Sequence, residues 1–402
     1  MEETCEELKL YDVIVVGSGP SGSYTAGRLA EMGHQVIVLE KKLKVGDKIC
    51  CTGIIGQECA RAFAIEDSVI LRRTNSACLF SPSGSLLRLQ REETQACIID
   101  RTAFDITLAR RAQDKGTEYS LGTLAGEIAV ETDKVKVKTS RQGKRTTITA
   151  RALVLASGFG SGLVEKLGLG KVSDFVIGAQ AEVATGETDE VEIYLSREVS
   201  PGFFGWLVPT SPQKARVGLM SRRSPELYLN KLFTYLQARG KIASATARPS
   251  YGGIPLRPPR KTYRERVVVV GDAAGQVKPT TGGGIYYGLL CADIAADTLD
   301  QALLQDDLSA RNLARYERQW RRRLGWELRT DYWARKLFER LGDRQLDRLF
   351  AVAKANGIDQ ALMRAKDVSF DWHGRTILAL LGYTVVSQAI GLVRTPSWMS
   401  KG

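Results

Sequence analysis

Histidine is almost missing from this chain, and cysteine never occurs in metal-binding spacing. Only His34 and His373 are present among 402 residues. So few imidazoles nearly exclude a histidine-rich metal site and leave little room for a Ser-His-Asp hydrolase. No two of the seven cysteines form a C-x-x-C pair, which disfavours zinc ribbons, thioredoxin-type sites and the usual iron–sulfur motifs. We therefore expect no metal site.

The cysteines are also too few and too scattered to form a disulfide framework. Their odd number favours a reducing compartment. The first ten residues, MEETCEELKL, contain four glutamates and no apolar run, unlike a signal or transit peptide. We expect a cytoplasmic protein, and its charge leaves open a peripheral position at the inner membrane face.

Neither disorder nor low complexity fits the composition. Hydrophobic residues make up 44% and charged residues 25%, which is ordinary for a globular protein of two or three domains. The net charge of +12 is concentrated in residues 311–348, where twelve Lys/Arg and six Asp/Glu leave +6. A solvated helical face, an anionic membrane and an acidic partner protein all fit this stretch. Nucleic acid fits less well, because no binding module accompanies the charge.

A βαβ unit is predicted at residues 11–40. Val13 to Val16 form an apolar run that is typical of a buried strand. A glycine loop follows, then a helix from about Ser21 to Met32 that Gly33 stops. Residues 35–39 form a second strand.

The loop of this unit carries Gly17-x-Gly19-x-x-Gly22. The first glycine permits a tight turn, the second lets the backbone approach a pyrophosphate, and the third lets helix and strand pack closely. Glu40 ends the second strand, where it can accept hydrogen bonds from a ribose diol. The predicted dinucleotide-binding residues here are Gly17, Gly19, Pro20, Ser21, Gly22, Glu40 and Lys41.

A second motif indicates that the dinucleotide is a flavin. The apolar strand Val267 to Val270 runs into Gly271-Asp272, which presents a carboxylate at the edge of the sheet where ligands bind. Asp272 can hold ribityl hydroxyls. Gly282-Gly283-Gly284 then precede a helix that starts near Ile285, and the positive end of this helix can face the pyrimidine edge of the flavin.

The remaining pattern predicts an α/β fold. It comprises a Rossmann-type FAD-binding domain, an inserted β-sheet substrate domain and a helical C-terminal region. Helices are predicted at 101–115 and 225–239, alternating strands at 126–155 and 175–220, and helix from about 285 almost to the end. The predicted domains are 1–75, 98–160 and 255–305 for FAD, 76–97 and 161–254 for substrate, and 306–402 for the helical region.

These motifs resemble those of a known protein family. The glycine fingerprint, Ala156-Ser-Gly158 and GDAAGQVKPTTGGGIYYG (271–288) resemble FAD-dependent oxidoreductases of the p-hydroxybenzoate hydroxylase fold. Within that fold the chain looks most like the geranylgeranyl reductases. Arg101-Thr-Ala-Phe104-Asp105 is similar to their R-x-x-F-D segment, which implies that Arg101 lies along the FAD.

Two further segments carry the resemblance to these reductases. Phe204-x-Trp206-x-Val208-Pro209, followed by Gly218, is similar to their Y-x-W-x-F-P…G-x-G lipid-pocket motif, although Met220 replaces the last glycine. Cys50 and Cys51 lie where the family has P-x-x-C-G near the flavin. The resemblance implies that Phe204, Trp206 and Pro209 contact a prenyl lipid. Tyr286 and Tyr287, at the start of the helix over the flavin, are further pocket candidates, one of which we expect in the core.

The implied reaction is the reduction of carbon–carbon double bonds in prenyl lipids of the geranylgeranyl type. An isolated alkene needs hydride from flavin N5 and a proton. Cys50 and Cys51 are the candidates for a proton relay or a gate, and the simpler alternative is two small buried residues. Only one Rossmann fingerprint occurs, so the reductant must come from outside, as NAD(P)H or a protein such as ferredoxin.

Other functions remain open at this point. A FAD-dependent monooxygenase resembling aromatic hydroxylases shares the fold. A quinone-directed flavoprotein dehydrogenase would usually carry an iron–sulfur cysteine cluster, which is missing here. A non-enzymatic flavoprotein partner is the most remote alternative.

The tail contains eighteen uncharged residues, 376–393, between Arg375 and Arg394. A spanning helix needs about 20 predominantly apolar residues, and glycine and polar residues dilute this stretch, so we do not expect a transmembrane segment. Trp372 and Trp398 flank it. Shallow contact with an anionic membrane and packing on the protein's own core are both compatible with the pattern.

Overall fold

A computed structural model describes residues 9–186, 188–243, 248–355, 357 and 370–372. The strands are β1 (Leu10–Val16), β2 (Val36–Glu40), β3 (Ile54–Gly56), β4 (Ile70–Thr74), β5 (Ser76–Phe80), β6 (Leu86–Gln90), β7 (Ala96–Ile99), β8 (Glu118–Leu121), β9 (Thr123–Val130), β10 (Val135–Arg141), β11 (Lys144–Leu155), β12 (Phe175–Ala184), β13 (Val191–Tyr194), β14 (Gly205–Ser211), β15 (Lys214–Ser221), β16 (Ser250–Pro255), β17 (Tyr263–Arg264) and β18 (Val267–Val269).

The helices are α1 (Pro20–Glu31), α2 (Gln57–Ala62), α3 (Arg101–Asp114), α4 (Leu163–Lys166), α5 (Pro225–Gln237), α6 (Ile285–Leu304), α7 (Ala310–Phe338) and α8 (Asp343–Ala355). Short 3-10 turns occupy Asp67–Val69 and Gly271–Ala274.

A parallel sheet forms the centre of the nucleotide-binding half. Its strands lie in the order β18, β11, β1, β2, β8, with β17 antiparallel at one edge. Val13 pairs with Val36 on one side and with Ala152 on the other. The core of β1 is apolar on both faces because both faces of the sheet are covered.

Helices cover one face of this sheet and a β-meander covers the other. Side chains of α1, α3, α6 and α7 pack with Val13 and Val15 in one apolar cluster. Ile14 and Val16 point to the opposite face, where they pack with residues of β10 and the α4 region. This doubly covered parallel sheet confirms the predicted fold class.

A seven-stranded sheet forms the second half, in the order β16, β12, β15, β14, β13, β5, β6. We call it the substrate sheet, after the predicted domain that contains it. The strands lie in 76–90 and 175–255, close to the predicted substrate ranges, and the domain boundaries themselves stay a prediction. Leu207 and Val217 face α5 in one cluster. Trp206 and Val208 face the other way, toward Ile98 of a small sheet formed by β3, β7 and β4.

The helical region joins the two halves. Tyr316 of α7 donates a hydrogen bond to the carbonyl of Val269 at 2.7 Å, and the second half of α7 reaches the substrate sheet, where Tyr332 donates to Asp174 at 2.8 Å. The helical pattern is confirmed through Ala355. Residues 376–393, Trp398 and His373 lie outside the described residues. Within the described ranges, no helix is both long and apolar enough to cross a membrane.

Candidate functional site

The glycine loop after β1 is shaped by contacts within the protein. Gly17 has a φ of +106°, and a Cβ there would lie 2.4 Å from the carbonyl oxygen of Ala156. A Cβ on Gly22 would lie 2.0 Å from the oxygen of Gly17. Both positions therefore require glycine for the turn and for packing of α1, as the fingerprint predicts.

Gly19 differs from its two neighbours. A Cβ at Gly19 would meet nothing within 4 Å, and its φ of −67° suits any residue. It precedes α1, whose first residue is Pro20 and whose N-terminus no side chain caps. The free N–H groups of the first turn of α1 thus lie beside the open space at Gly19, and this positive helix end suits a pyrophosphate.

Glu40 is buried at the end of β2 and holds this loop in place. One carboxylate oxygen accepts hydrogen bonds from the N–H and hydroxyl of Ser18 at 2.9 and 2.8 Å, and the other accepts from the N–H of Lys42 at 2.9 Å. An ionised carboxylate offers about four acceptor positions, so room remains for a ribose hydroxyl. Lys41 is exposed beside it. The pattern in the sequence did not indicate the role of Ser18.

Asp272 and Arg101 lie at the next part of the site. Asp272 lies against the first turn of α6, where a Cβ on Gly284 would be 2.8 Å from its carboxylate oxygen. Burial raises the pKa of Asp272, and the nearby positive charge of Arg101 opposes that shift. Arg101 itself is held at 3.0 Å by Asp105, one turn further along α3. The structure thus brings the predicted ribityl ligand and the predicted arginine together.

The glycine-rich turn before α6 lies against the substrate sheet. The N–H of Gly282 donates to the carbonyl of Lys278 at 2.8 Å, and the N–H of Lys278 donates to the carbonyl of Gly283 at 3.1 Å. Gly282 has a φ of +74°, and a Cβ there would lie 3.2 Å from Ile254 and Met220. Ile285 begins α6, whose N-terminus also lacks a side-chain cap. This turn and helix end contain the residues that the sequence predicts to face a flavin ring, Gly282, Gly283, Gly284 and Ile285.

Trp206 lies on the face of the substrate sheet that looks toward this turn. Its side chain is 8% exposed, and its ring lies 6.0 Å from that of Phe204. A Cβ on Gly218, its cross-strand partner, would lie 2.6 Å from the indole, which explains the glycine there. The indole N–H has no acceptor among the described residues. Trp206 and Phe204 form the predicted wall of the lipid site, called the wall below. Pro209 points to the opposite face of β14 and is not part of the wall.

Tyr286 and Tyr287 are not part of the wall. Both are buried in the helical cluster behind the turn, where they pack against Trp372. Tyr286 donates to Glu58 at 2.5 Å, and the hydroxyl of Tyr287 has no partner among the described residues. Tyr286 contacts Glu58 of α2 and Phe63, and Tyr287 lies beside Lys278. The structure thus places both rings in the core, where we expected only one.

The two cysteines divide between the two halves of the site. The thiol of Cys50 lies against the substrate sheet and donates to the carbonyl of Ser250 at 3.5 Å. Burial raises the pKa of this thiol, so it stays protonated at neutral pH. Cys51 instead lies near Arg101. Arg216 of the substrate sheet fixes the segment that follows, by donating to the carbonyl of Thr52 at 2.7 Å.

A buried network behind the turn was not predicted. Lys278 lies 3.5 Å from Asp371 and donates to the carbonyl of Phe370 at 3.0 Å. Asp371 also fills the space left by the absent side chain of Gly56. Trp372 donates to Glu58 at 2.7 Å. Lys278 and Asp371 are 93 positions apart, so no local pattern could reveal their contact.

Asp331 of α7 is the second buried acid at this turn. It accepts a hydrogen bond from the hydroxyl of Thr280 at 3.1 Å. Burial, and secondarily the nearby Glu327, raises the pKa of Asp331 to about 7. Across the parts of the chain that the structure describes, no three His, Cys, Asp or Glu side chains gather as a metal site would require.

Comparison with known proteins identifies relatives of the chain. A family profile described as "FAD binding domain" matches residues 10–328. A digeranylgeranylglycerophospholipid reductase of Methanocaldococcus jannaschii is 31% identical over 359 residues, which cover 87% of this chain and 91% of the relative. A digeranylgeranylglycerophospholipid reductase 2 of Methanothermobacter thermautotrophicus is 30% identical, covering 84% and 90%.

Solved structures share the fold. A geranylgeranyl bacteriochlorophyll reductase-like protein from Thermoplasma acidophilum superposes with a TM-score of 0.83 at 22% identity, covering 95% of this chain and 99% of that one. A p-nitrophenol 4-monooxygenase from Pseudomonas putida superposes with a TM-score of 0.70 at 18% identity, covering 94% and 98%. At these identities the likeness concerns the fold, which both reductases and monooxygenases use.

Proposed function

Since the chain belongs to the FAD binding domain family, we propose that it is a FAD-dependent reductase of carbon–carbon double bonds in prenyl lipids of the geranylgeranyl type. One observation carries the proposal: about 30% identity, over most of both chains, to digeranylgeranylglycerophospholipid reductases. The similarity to a monooxygenase and to a flavoprotein/dehydrogenase concerns only the fold.

The residues of the site fit FAD. Gly19 leaves open space at the uncapped end of α1 for a pyrophosphate, and Glu40 retains acceptor capacity for a ribose. Under this proposal Asp272 and Arg101 would contact the ribityl chain, and the uncapped N-terminus of α6 would face the pyrimidine edge. FAD bound in this way, once reduced by an external donor, would supply the hydride for alkene reduction.

The protein's own contribution is orientation and exclusion of water. Trp206 and Phe204 offer a rigid apolar surface opposite the glycine turn, against which a prenyl chain can pack. Cys50 is protonated and lies at the border between the two halves. It is the candidate to deliver the proton to the second carbon of the alkene.

The reductant is external under this proposal. The single Rossmann fingerprint leaves NAD(P)H bound transiently, or an electron-donor protein such as ferredoxin, as the source of electrons. A prenyl lipid of the geranylgeranyl type is insoluble in water, so we also propose that the protein contacts an anionic membrane peripherally.

The decisive test uses the purified holoprotein under anaerobic conditions. The flavin is reduced with dithionite, and a geranylgeranyl glycerophospholipid dispersed in detergent is added. We expect reoxidation of the flavin and a gain of two daltons per double bond by mass spectrometry. The saturated phytanyl lipid is the matched control and should leave the flavin reduced. Consumption of NAD(P)H and oxygen with a hydroxylated aromatic product, and no alkene reduction, would instead identify a monooxygenase.

A further inference from the structure

The outer face of α7 carries a regular row of arginine and tryptophan. Successive members are three or four residues apart, so they lie on one side of the helix. At a rise of 1.5 Å per residue the row is about 33 Å long. The arginine–tryptophan row consists of Arg311, Arg315, Arg318, Arg322, Trp326, Arg329 and Trp333.

No acidic residue interrupts this row. The three acids of α7 point elsewhere: Glu317 accepts from Arg321 and Thr262, Asp331 accepts from Thr280, and Glu327 is buried. None of the row's five arginines forms an ion pair with any residue that the structure describes, although several other cations of the helical region do. Arg315 donates to the carbonyl of Thr298 at 2.9 Å, and Asp307 lies near Arg311 and Arg315 at the N-terminal end of the row. The exposed Arg318, Arg322 and Arg329 still leave a line of positive charge that attracts an extended anionic partner.

The two tryptophans are exposed on the same surface. Trp326 is 42% and Trp333 is 49% exposed, although indoles of this size are usually buried in a monomer. Exposed indoles beside arginines are typical of the interface between a membrane's headgroups and its acyl chains. An acidic protein would account for the charge alone and would leave the indoles unexplained.

Both ends of the row adjoin features that suit a lipid surface. The N-terminal end borders a cleft of about 550 Å³ whose lining includes Lys261, Arg264, Arg311 and Arg318 and no carboxylate. Phosphate groups fit such a lining. At the other end, Tyr332 packs against the apolar cluster that contains Trp206. The row therefore connects a cationic cleft to the predicted wall of the prenyl site.

We propose that the arginine–tryptophan row is the surface by which the protein docks on an anionic lipid bilayer, with α7 lying parallel to the membrane plane. The choice of a bilayer rests on the proposed function, since a prenyl lipid must be taken from a membrane. Docking along α7 would bring the substrate wall next to the source of substrate.

The test measures partition of the full-length holoprotein onto vesicles by sedimentation. Vesicles of phosphatidylcholine alone are compared with vesicles that contain 30% phosphatidylglycerol. We expect binding to the anionic vesicles only, with a loss as salt rises. The triple variant Arg318→Gln/Arg322→Gln/Arg329→Gln should bind about a hundredfold more weakly, because each basic side chain near the surface contributes roughly fivefold.

A matched variant separates the row from net charge. Arg141, Lys144 and Arg145 lie exposed on the β10–β11 hairpin, and changing all three to glutamine removes the same charge. This variant should bind within about twofold of the wild type. Trp326→Ala should lose residual binding at high salt, where the charge contribution is screened.

Several results would overturn the proposal. The first is an equal loss of vesicle binding in the two triple variants. The second is that the wild type does not bind anionic vesicles at low salt. The third is that the row variant still binds vesicles but no longer binds an acidic electron carrier. Reduction of the detergent-dispersed lipid is measured on the same samples. If the wild type reduces the dispersed lipid but does not bind anionic vesicles, the docking surface is wrong and the proposed function stands.

Discussion

The two ends of the candidate site are built in different ways. The nucleotide end is made by Gly17, Gly22 and Glu40, within 24 consecutive residues, and its shape is fixed by backbone contacts. The substrate end brings together Cys50, the β14 strand, the Gly282 turn, Asp331 and Asp371. One end is a local motif, whereas the other is a meeting of distant segments.

The difference separates glycines that the protein's own packing requires from a glycine that leaves space for a ligand. At Gly17 and Gly22 the protein's own backbone leaves no space for a Cβ, whereas at Gly19 the space is open. At the substrate end the restrictive contacts are between side chains and glycines, such as Trp206 on Gly218 and Asp371 on Gly56. Substitutions at the two ends should therefore separate folding from binding.

The largest effect is expected at the glycine loop. Gly22→Ala would place a Cβ 2.0 Å from the oxygen of Gly17, so the strand and α1 must move apart. We expect a loss of folded protein, or at least about 4 kcal/mol in the free energy of unfolding. Gly19→Ala should leave the apoprotein within about 1 kcal/mol of wild type and weaken FAD binding at least tenfold. Urea unfolding measures the free energy of unfolding, and calorimetric titration measures the FAD affinity. An unchanged FAD affinity in Gly19→Ala would show that the pyrophosphate does not bind in the open space at Gly19.

The buried pair behind the turn should rank second. Lys278→Met removes the ammonium group that lies 3.5 Å from the carboxylate of Asp371, in a site where the two side chains are 5% and 2% exposed. Removing one partner of such a pair costs about 3–5 kcal/mol, and the double variant Lys278→Met/Asp371→Leu should recover most of it. Lys138→Met, which breaks an exposed pair with Glu127, is the control and should cost less than about 1 kcal/mol. Equal unfolding midpoints for the two single variants would contradict this prediction.

Sequence could predict the nucleotide end because strand, loop, helix and acid are adjacent in the chain. The spacing of Gly17, Gly19 and Gly22 specifies their geometry before any tertiary contact is known. The substrate end depends on sheet register: Trp206 faces the turn only because β14 pairs in a register that directs Pro209 the other way. The contact of Lys278 with Asp371 depends on the path of about 90 intervening residues, which no local pattern encodes.

Glu40 tests whether one residue at the nucleotide end can serve both folding and binding. Glu40→Ala removes the acceptor for Ser18 and Lys42 as well as the proposed ribose ligand. Hydrogen bonds to a charged group are worth about 1.5–3 kcal/mol, so we expect FAD affinity to fall roughly ten- to a hundredfold and stability to fall too. Lys41→Ala, at the exposed neighbour, should change either quantity much less. A Glu40→Ala protein that is destabilised but binds FAD normally would restrict this residue to a structural role.

Trp206→Phe examines the substrate end with little damage to the fold. The smaller ring keeps the apolar surface, and we expect stability within about 1 kcal/mol of wild type and turnover of a prenyl lipid about tenfold slower. Phe233→Leu changes the cluster on the opposite face of the same sheet and should reduce stability without changing turnover. Steady-state kinetics with detergent-dispersed lipid distinguish the two. Equal effects on turnover would mean that Trp206 is ordinary sheet core.

The smallest effect should be a pH dependence that originates at Asp331. Burial raises the pKa of this carboxyl from 3.8 to about 7. Because the folded value lies above the ordinary one, the stability it contributes is complete below about pH 4 and is lost as pH rises through about 7. The wild type should therefore lose unfolding free energy between pH 5 and about pH 7, and Asp331→Asn should reduce this loss by about 1 kcal/mol per pH unit. One proton bound by the folded state and released by the unfolded state gives at most about 1.36 kcal/mol per pH unit. Asp133→Asn, at an exposed turn, is the control and should leave the slope unchanged.

If Asp331→Asn and the wild type lose the same unfolding free energy from pH 5 to pH 8, the carboxyl of Asp331 is already ionised at pH 5. The hydroxyl of Thr280 then donates to a charged group beside the turn.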